Sequence, residues 1–254
     1  MSRLHGVLLG LLVAALPAPA QEVSGSIAVQ VKDRTGLAVA EAGVTAVHAA
    51  TGEAREATTG SGGAYIFTSL PIGGWTITAS RSGFKRATRS GVELHVGDRL
   101  NLDLTLEVGE LAQEVNVVAD APAVQTETSE QSGLISGDQV RELQLNGRSF
   151  MTLIELLPGV ASDMPDRVDP NTNPLLYING ARNSAANFNI DGGNNSDVIV
   201  GSGSLNTFTS VETIAEFKVL TSTFAAEYGR GGFAQVNVVT RGGTRNFHGS
   251  LFEF

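Results

Sequence analysis

The run Asp191-Gly192-Gly193-Asn194-Asn195-Ser196-Asp197 carries side-chain oxygens at the spacing with which a loop can grip a calcium ion. It lacks the glycine at the sixth position and the glutamate at the twelfth that an EF-hand loop uses, so it reads as a polar turn. Gly229-Arg230-Gly231-Gly232 has the glycines of a phosphate loop, but a strand pattern follows where a dinucleotide site needs a helix N-terminus. His5, His48, His95 and His248 are dispersed and form no H-E-x-x-H pair. No G-x-S-x-G elbow occurs. The chain has no cysteine, which removes thiolate metal sites, disulfides and cysteine nucleophiles. No nucleophile–base pair or metal set emerges, so the expectation is no catalytic residue, no metal site and no cofactor.

The elements around these residues must then serve binding or architecture. Charged residues make up 17% of the chain and there are 30 glycines, a balance that points to β structure with many turns. The net charge is −9, and no basic stripe offers itself to a phosphate backbone, which argues against a nucleic-acid partner. At the N-terminus, Arg3 and His5 precede an apolar run over 6–16, followed by Ala18-Pro19-Ala20. The run is too short to span a bilayer, and Ala18 and Ala20 fit an A-x-A cleavage site. Residues 1–20 therefore read as a signal peptide for export.

Over 24–107 the period is two. Ile27, Val29 and Val31 alternate with polar or small residues, as do Trp75, Ile77 and Ala79, and Leu100, Leu102, Leu104 and Leu106. Turn residues separate these runs, the pattern of a β-sandwich. The order Gly63-Ala64-Tyr65-Ile66-Phe67, Leu70-Pro71, Gly74-Trp75, Gly83-Phe84 resembles the carboxypeptidase-regulatory-like, transthyretin-type module. The resemblance implies a scaffold or a carbohydrate-binding-like fold, and no peptidase. Tyr65 and Trp75 could stack on a sugar ring, but each keeps the apolar phase of its strand and so reads as core.

The junction 108–123 contains Glu114-Val115-Asn116-Val117-Val118-Ala119, short and β-prone. It resembles a TonB box, with Ala119-Asp120 where Thr-Ala is common. Such a segment would bind by adding an edge strand to a partner's sheet. It reads equally as the first strand of the next domain.

From 124 to 245 the pattern becomes α plus β. Residues 138–143 read as a short helix with an acidic first turn, and Phe150, Leu153, Ile154 and Leu157 predict a second helix over 149–157, stopped by Pro158-Gly159. Strands are expected at 175–179, 188–191, 217–221 and 233–240, with a helical turn at 211–215 capped by Ser210. Three ordered stretches resemble the plug domain of Oar-like TonB-dependent receptors: Leu145-Asn146-Gly147-Arg148-Ser149-Phe150 with Leu156-Leu157-Pro158-Gly159-Val160; Asn179-Gly180-Ala181-Arg182 with Asn189-Ile190-Asp191-Gly192 and Asn195; and Ala226-Glu227-Tyr228-Gly229-Arg230 with 236–244.

The fold expectation is thus mainly β: a transthyretin-like sandwich followed by an α+β plug, with residues 246–254 opening a first barrel strand and the barrel itself absent. One strand cannot close a barrel, so the chain reads as a fragment of a longer receptor. The resemblance implies a plug and periplasmic adaptor of an outer-membrane transporter, with TonB and ExbB–ExbD as partners through residues 114–119. Ligand would meet the loops of 160–210, with Asn179, Arg182, Asn189, Asp191, Asn194 and Asn195 as candidates. The alternative is a secreted carbohydrate- or protein-binding module with an adhesive role.

Overall fold

The structure, a computed structural model, describes residues 24–109, 114–118, 130–143, 149–162, 176–182, 186–196, 209–223, 234–247 and 249. The leader, residues 144–148 and 226–230 of the plug-like motifs, Asp197 and residues 250–254 lie outside this set.

Two hydrophobic cores follow one another along the chain. The first lies between two sheets. One sheet has the order β4-β1-β7, with β1 (Ser24–Asp33) antiparallel to β4 (Ala64–Pro71) and parallel to β7 (Arg99–Leu106). The other has the order β3-β2-β5-β6-β8, built from β2 (Gly43–His48), β3 (Ala54–Thr58), β5 (Gly73–Ser80), β6 (Arg86–Leu94) and β8 (Glu114–Val118). Alternation explains the packing. The four leucines Leu100, Leu102, Leu104 and Leu106 are buried while the residues between them are exposed. They meet Ile27, Val29, Val31, Trp75 and Ile77 from the other strands. Gly63 has φ +70°, and a Cβ there would lie 2.6 Å from the Val31 carbonyl oxygen, so the turn into β4 admits no side chain.

The second core packs under one face of a mixed five-stranded sheet. Its order is β13-β12-β15-β14-β9, from β9 (Gln131–Ser136), β12 (Ala186–Ile190), β13 (Gly193–Asn194), β14 (Ile214–Ser222) and β15 (Ala234–Thr240). A separate pair joins β10 (Val160–Ser162) to β11 (Leu176–Ile178). Helix α1 (Gly137–Glu142) starts at Ser136, whose hydroxyl accepts from the Gln139 N–H while the Gln139 side chain accepts from the Ser136 N–H. This capping box fixes where β9 turns into helix. Phe188, Phe217, Val219, Val236 and Val238 point to the core side with Met151 and Ile154.

Three local expectations change. The helix expected over 149–157 is confined to α2 (Met151–Ile154): no side chain caps its start, and beyond it the Leu156 and Leu157 N–H groups donate three residues back, to the Leu153 and Ile154 carbonyls, as the chain tightens before Pro158-Gly159, while Leu157 still packs against the core. Ser210 starts a 3-10 turn, Val211–Thr213, but not with its side chain: its carbonyl accepts from the Thr213 N–H and hydroxyl. Strand β8 does not open the second domain. It pairs in parallel with β6, Thr88 opposite Asn116, and so extends the first domain's sheet.

Candidate interaction sites

Strand β8 is the outermost strand of its sheet, with β6 on one side. A strand so placed uses half of its backbone groups for the neighbour, and the pairing needs no side-chain code. The segment singled out by its valines is therefore held as an added edge strand within the chain itself.

The second sheet has an unusual outer face. Along β12, β15 and β14 the residues alternating with the core positions are Asn187, Asn189, Gln235, Asn237, Glu216 and Lys218, all buried. The amides form a ladder. Asn187 donates to Asn189 and to Gln235 at 3.2 and 3.0 Å, Asn189 donates to Asn237 at 2.9 Å, and the Ser196 hydroxyl donates to Asn187 at 2.8 Å. Buried amides are tolerable when each finds a partner, and here neighbouring strands supply one.

The charged end of this face meets the first domain. Lys218 Nζ donates to Asp98 Oδ1 at 3.1 Å, with both side chains 5% exposed. Glu216 accepts from the Val96 N–H at 2.6 Å and from His95 Nδ1 at 2.8 Å. The Glu216 carboxylate raises the His95 pKa above its ordinary value, against the opposing effect of burial, with smaller help from Asp98 and Glu93. Beyond β15, Arg245 Nε donates to the Thr51 carbonyl at 2.7 Å. Sequence reading passed over Glu216, Lys218, Asp98 and His95 as chemistry. The one signal was two charges at alternate positions within an otherwise apolar strand, Ile214-Ala215-Glu216-Phe217-Lys218-Val219-Leu220.

A shallow cavity of about 400 Å³ lies between β9 and the Leu157-Pro158-Gly159 turn, with Asn179 and Thr221 on its rim. The six ligand-loop candidates do not converge on it. Asn179 borders it, donating to the Thr221 carbonyl at 2.9 Å, and Arg182 is exposed nearby in sequence. Asn189 belongs to the amide ladder. Asp191 accepts from the Thr240 N–H and hydroxyl at 2.9 and 2.7 Å, which commits both oxygens to closing the sheet end. Asn194 accepts from the Ser196 N–H at 2.8 Å, and Asn195 is buried. These bonds give Asn189, Asp191 and Asn194 structural partners; of the polar turn expected over 191–197, Asp191-Gly192 form the turn, Gly193–Asn194 the short strand β13, and Asp197 lies outside the described residues.

In the first domain the two aromatic candidates part. Trp75 is 1% exposed, and its indole N–H donates to the Pro71 carbonyl at 2.9 Å. Tyr65 is 37% exposed and packs edge-on against Phe67, with ring centroids 4.9 Å apart. Trp75 is core, as its phase requires; Tyr65, expected in the core, shares the strand face of Phe67 but stays half-exposed because β4 is the edge strand of its three-stranded sheet.

Residues 26–107 match the carboxypeptidase regulatory-like domain family. The chain is 25% identical over 198 residues to the TonB-dependent transporter Oar of Myxococcus xanthus, a match covering 75% of this chain. The chain is similar to the N-terminal part of an Oar-like TonB-dependent receptor. It spans 18% of the length of Oar. The Oar match is much longer than the regulatory-like domain and so reaches into the second core. Among solved structures, the Bacillus anthracis TIE protein is 20% identical with a TM-score of 0.31, covering 34% of this chain and 17% of that one. The chain is mainly β in both of its cores.

Proposed function

We propose that the chain is the plug and periplasmic adaptor region of a TonB-dependent outer-membrane transporter, gating energy-coupled passage of a ligand. The observation that carries this reading is the similarity to Oar, which extends beyond the regulatory-like domain into the second core. On this reading the regulatory-like domain is the adaptor and residues 124–245 are the plug, seated in a barrel encoded by a longer chain. Residues 1–20 direct export, and the assembled receptor resides in the outer membrane.

Residues 114–119 are the contact for TonB, energised by ExbB–ExbD. The edge position of β8 supports this assignment, because the segment already binds by strand addition to β6. Exchange of that pairing for a TonB sheet edge would swap one set of backbone hydrogen bonds for another, at small net cost. Traction on the segment would then rearrange the plug. Ligand would meet exposed Asn179 and Arg182, whereas Asn189 is committed to the buried amide ladder and Asp191 to closing the sheet end. The reaction requires no covalent step from this chain, and it is not an enzyme.

The test is deletion of residues 114–119 in the receptor carrying its barrel, with surface expression checked. Uptake should be abolished, and unchanged uptake rejects the segment as the TonB contact. The second reading, a secreted glycan-binding module, draws on one observation, the exposed ring of Tyr65. Saturable glycan binding that Tyr65→Ala removes, in a chain that does not bind TonB, favours it.

A further inference from the structure

We propose that the turn between β6 and β7, around His95, Val96 and Asp98, forms a latch with Glu216 and Lys218 of β14, locking the regulatory-like domain onto the polar face of the second sheet. The proposal does not depend on the transporter reading, since it concerns how the two folded units are joined.

The geometry is that of a built joint. Asp98 and Lys218 are both almost fully buried and pair at 3.1 Å across 120 residues of sequence. An ion pair at that depth holds only with good geometry and further hydrogen bonds, because removing either partner strands a charge without water. Those further bonds are present: Asp98 Oδ2 accepts from the His95 N–H at 3.1 Å, closing the turn, and Glu216 takes the Val96 N–H and the His95 ring. The pairing is reciprocal, an acidic side chain of each domain meeting a basic side chain of the other.

The latch also has a second anchor. Register places His48 opposite Trp75 and Leu94 opposite Gly73, so the turn after β2 and the turn after β6 lie at the same end of the sandwich. Arg245, beyond β15, donates to the Thr51 carbonyl in that first turn. Two anchors at one end restrict rotation about either, so the two domains share one resting arrangement. Because β14 pairs with both β15 and β9, a change in its position reaches the centre of the second sheet. Separating the domains must expose Glu216 and Lys218, so the latch has to open whenever the domains part.

The absence of cysteine makes the test direct. The chain is given spin labels at Leu37→Cys and Glu142→Cys, both exposed positions, and the interdomain distance is measured by pulsed electron resonance. The wild-type background should show one narrow distance. Lys218→Glu should abolish it, leaving a broad distribution, and adding Asp98→Lys should restore it. Circular dichroism checks folding; if Lys218→Glu does not fold, Lys218→Met is read in its place. A broad distribution in the wild-type background overturns the proposal, and so does a narrow distance that survives in a folded Lys218 variant. A narrow distance restored in the folded double variant assigns the effect to the direct Asp98–Lys218 pairing.

Discussion

Replacement of Trp75 by alanine separates a packed core from a sugar-stacking surface. The indole is 1% exposed, donates to the Pro71 carbonyl at 2.9 Å and lies 4.9 Å from the His48 ring. Truncating a fully buried tryptophan costs about 3–5 kcal/mol from lost transfer energy and the cavity left behind. The hydrogen bond adds little to this. Pro71 is exposed, so water can take over its carbonyl, and the net loss is nearer ~1 kcal/mol than the full penalty of a buried orphan. Trp75→Phe should therefore cost far less than Trp75→Ala. The assay is hydrogen exchange by mass spectrometry on the intact chain, following peptides from β1 and β5. At ~1.4 kcal/mol per decade, the alanine variant should exchange there about a hundred- to a few-thousand-fold faster when opening is at equilibrium. The second domain's peptides, which lack Trp75 contacts, report whether the effect is confined to the sandwich. An alanine variant that exchanges at the wild-type rate, or saturable quenching of the lone tryptophan by oligosaccharide, refutes the core assignment.

Gln235→Leu should destabilise the second domain by about 2–4 kcal/mol in chemical denaturation, since its Oε1 accepts from both Asn187 and Asn189 and the loss leaves buried amide donors without that partner. A Gln235→Leu variant as stable as the parent would show that the ladder is not needed. The latch should also respond to pH. His95 is raised above its ordinary pKa by Glu216, with Asp98 and Glu93 also facing it, so its contribution to docking is complete below the ordinary histidine value. It is lost as pH rises through the raised value. Titration of the His95 ring by NMR should show this elevated midpoint and Glu216→Gln should lower it, while an unchanged midpoint in that variant would remove Glu216 as the cause.

Much of the first domain was legible because a half-buried strand writes its burial at period two. Leu100 to Leu106 is the plainest case, and the observed burial alternates residue by residue. Helix α1 was legible for a local reason too, since its start depends on groups a few residues apart. The second helix was misjudged in length because Phe150, Leu153, Ile154 and Leu157 match helical spacing and do pack against one core, yet nothing in that spacing reveals that no cap closes the first turn or that the last residues tighten to bonds three residues back. The ligand-loop candidates failed to converge for a related reason. Asn189 and Asp191 are polar residues in a turn-rich stretch, and only the register of β12 against β15 shows that their hydrogen bonds go to Asn237, Gln235 and Thr240.

Local chemistry thus carried many of the strands and turns, because strand phase, capping and glycine conformation are decided by residues close in sequence. The placement of β8 on β6, the amide ladder and the pairing of Asp98 with Lys218 were decided by the tertiary structure. A backbone edge takes any extended neighbour, and a charge takes any opposite charge within reach. Neither preference names its partner, so the chain had to fold before Glu216 and Lys218 acquired the turn that covers them.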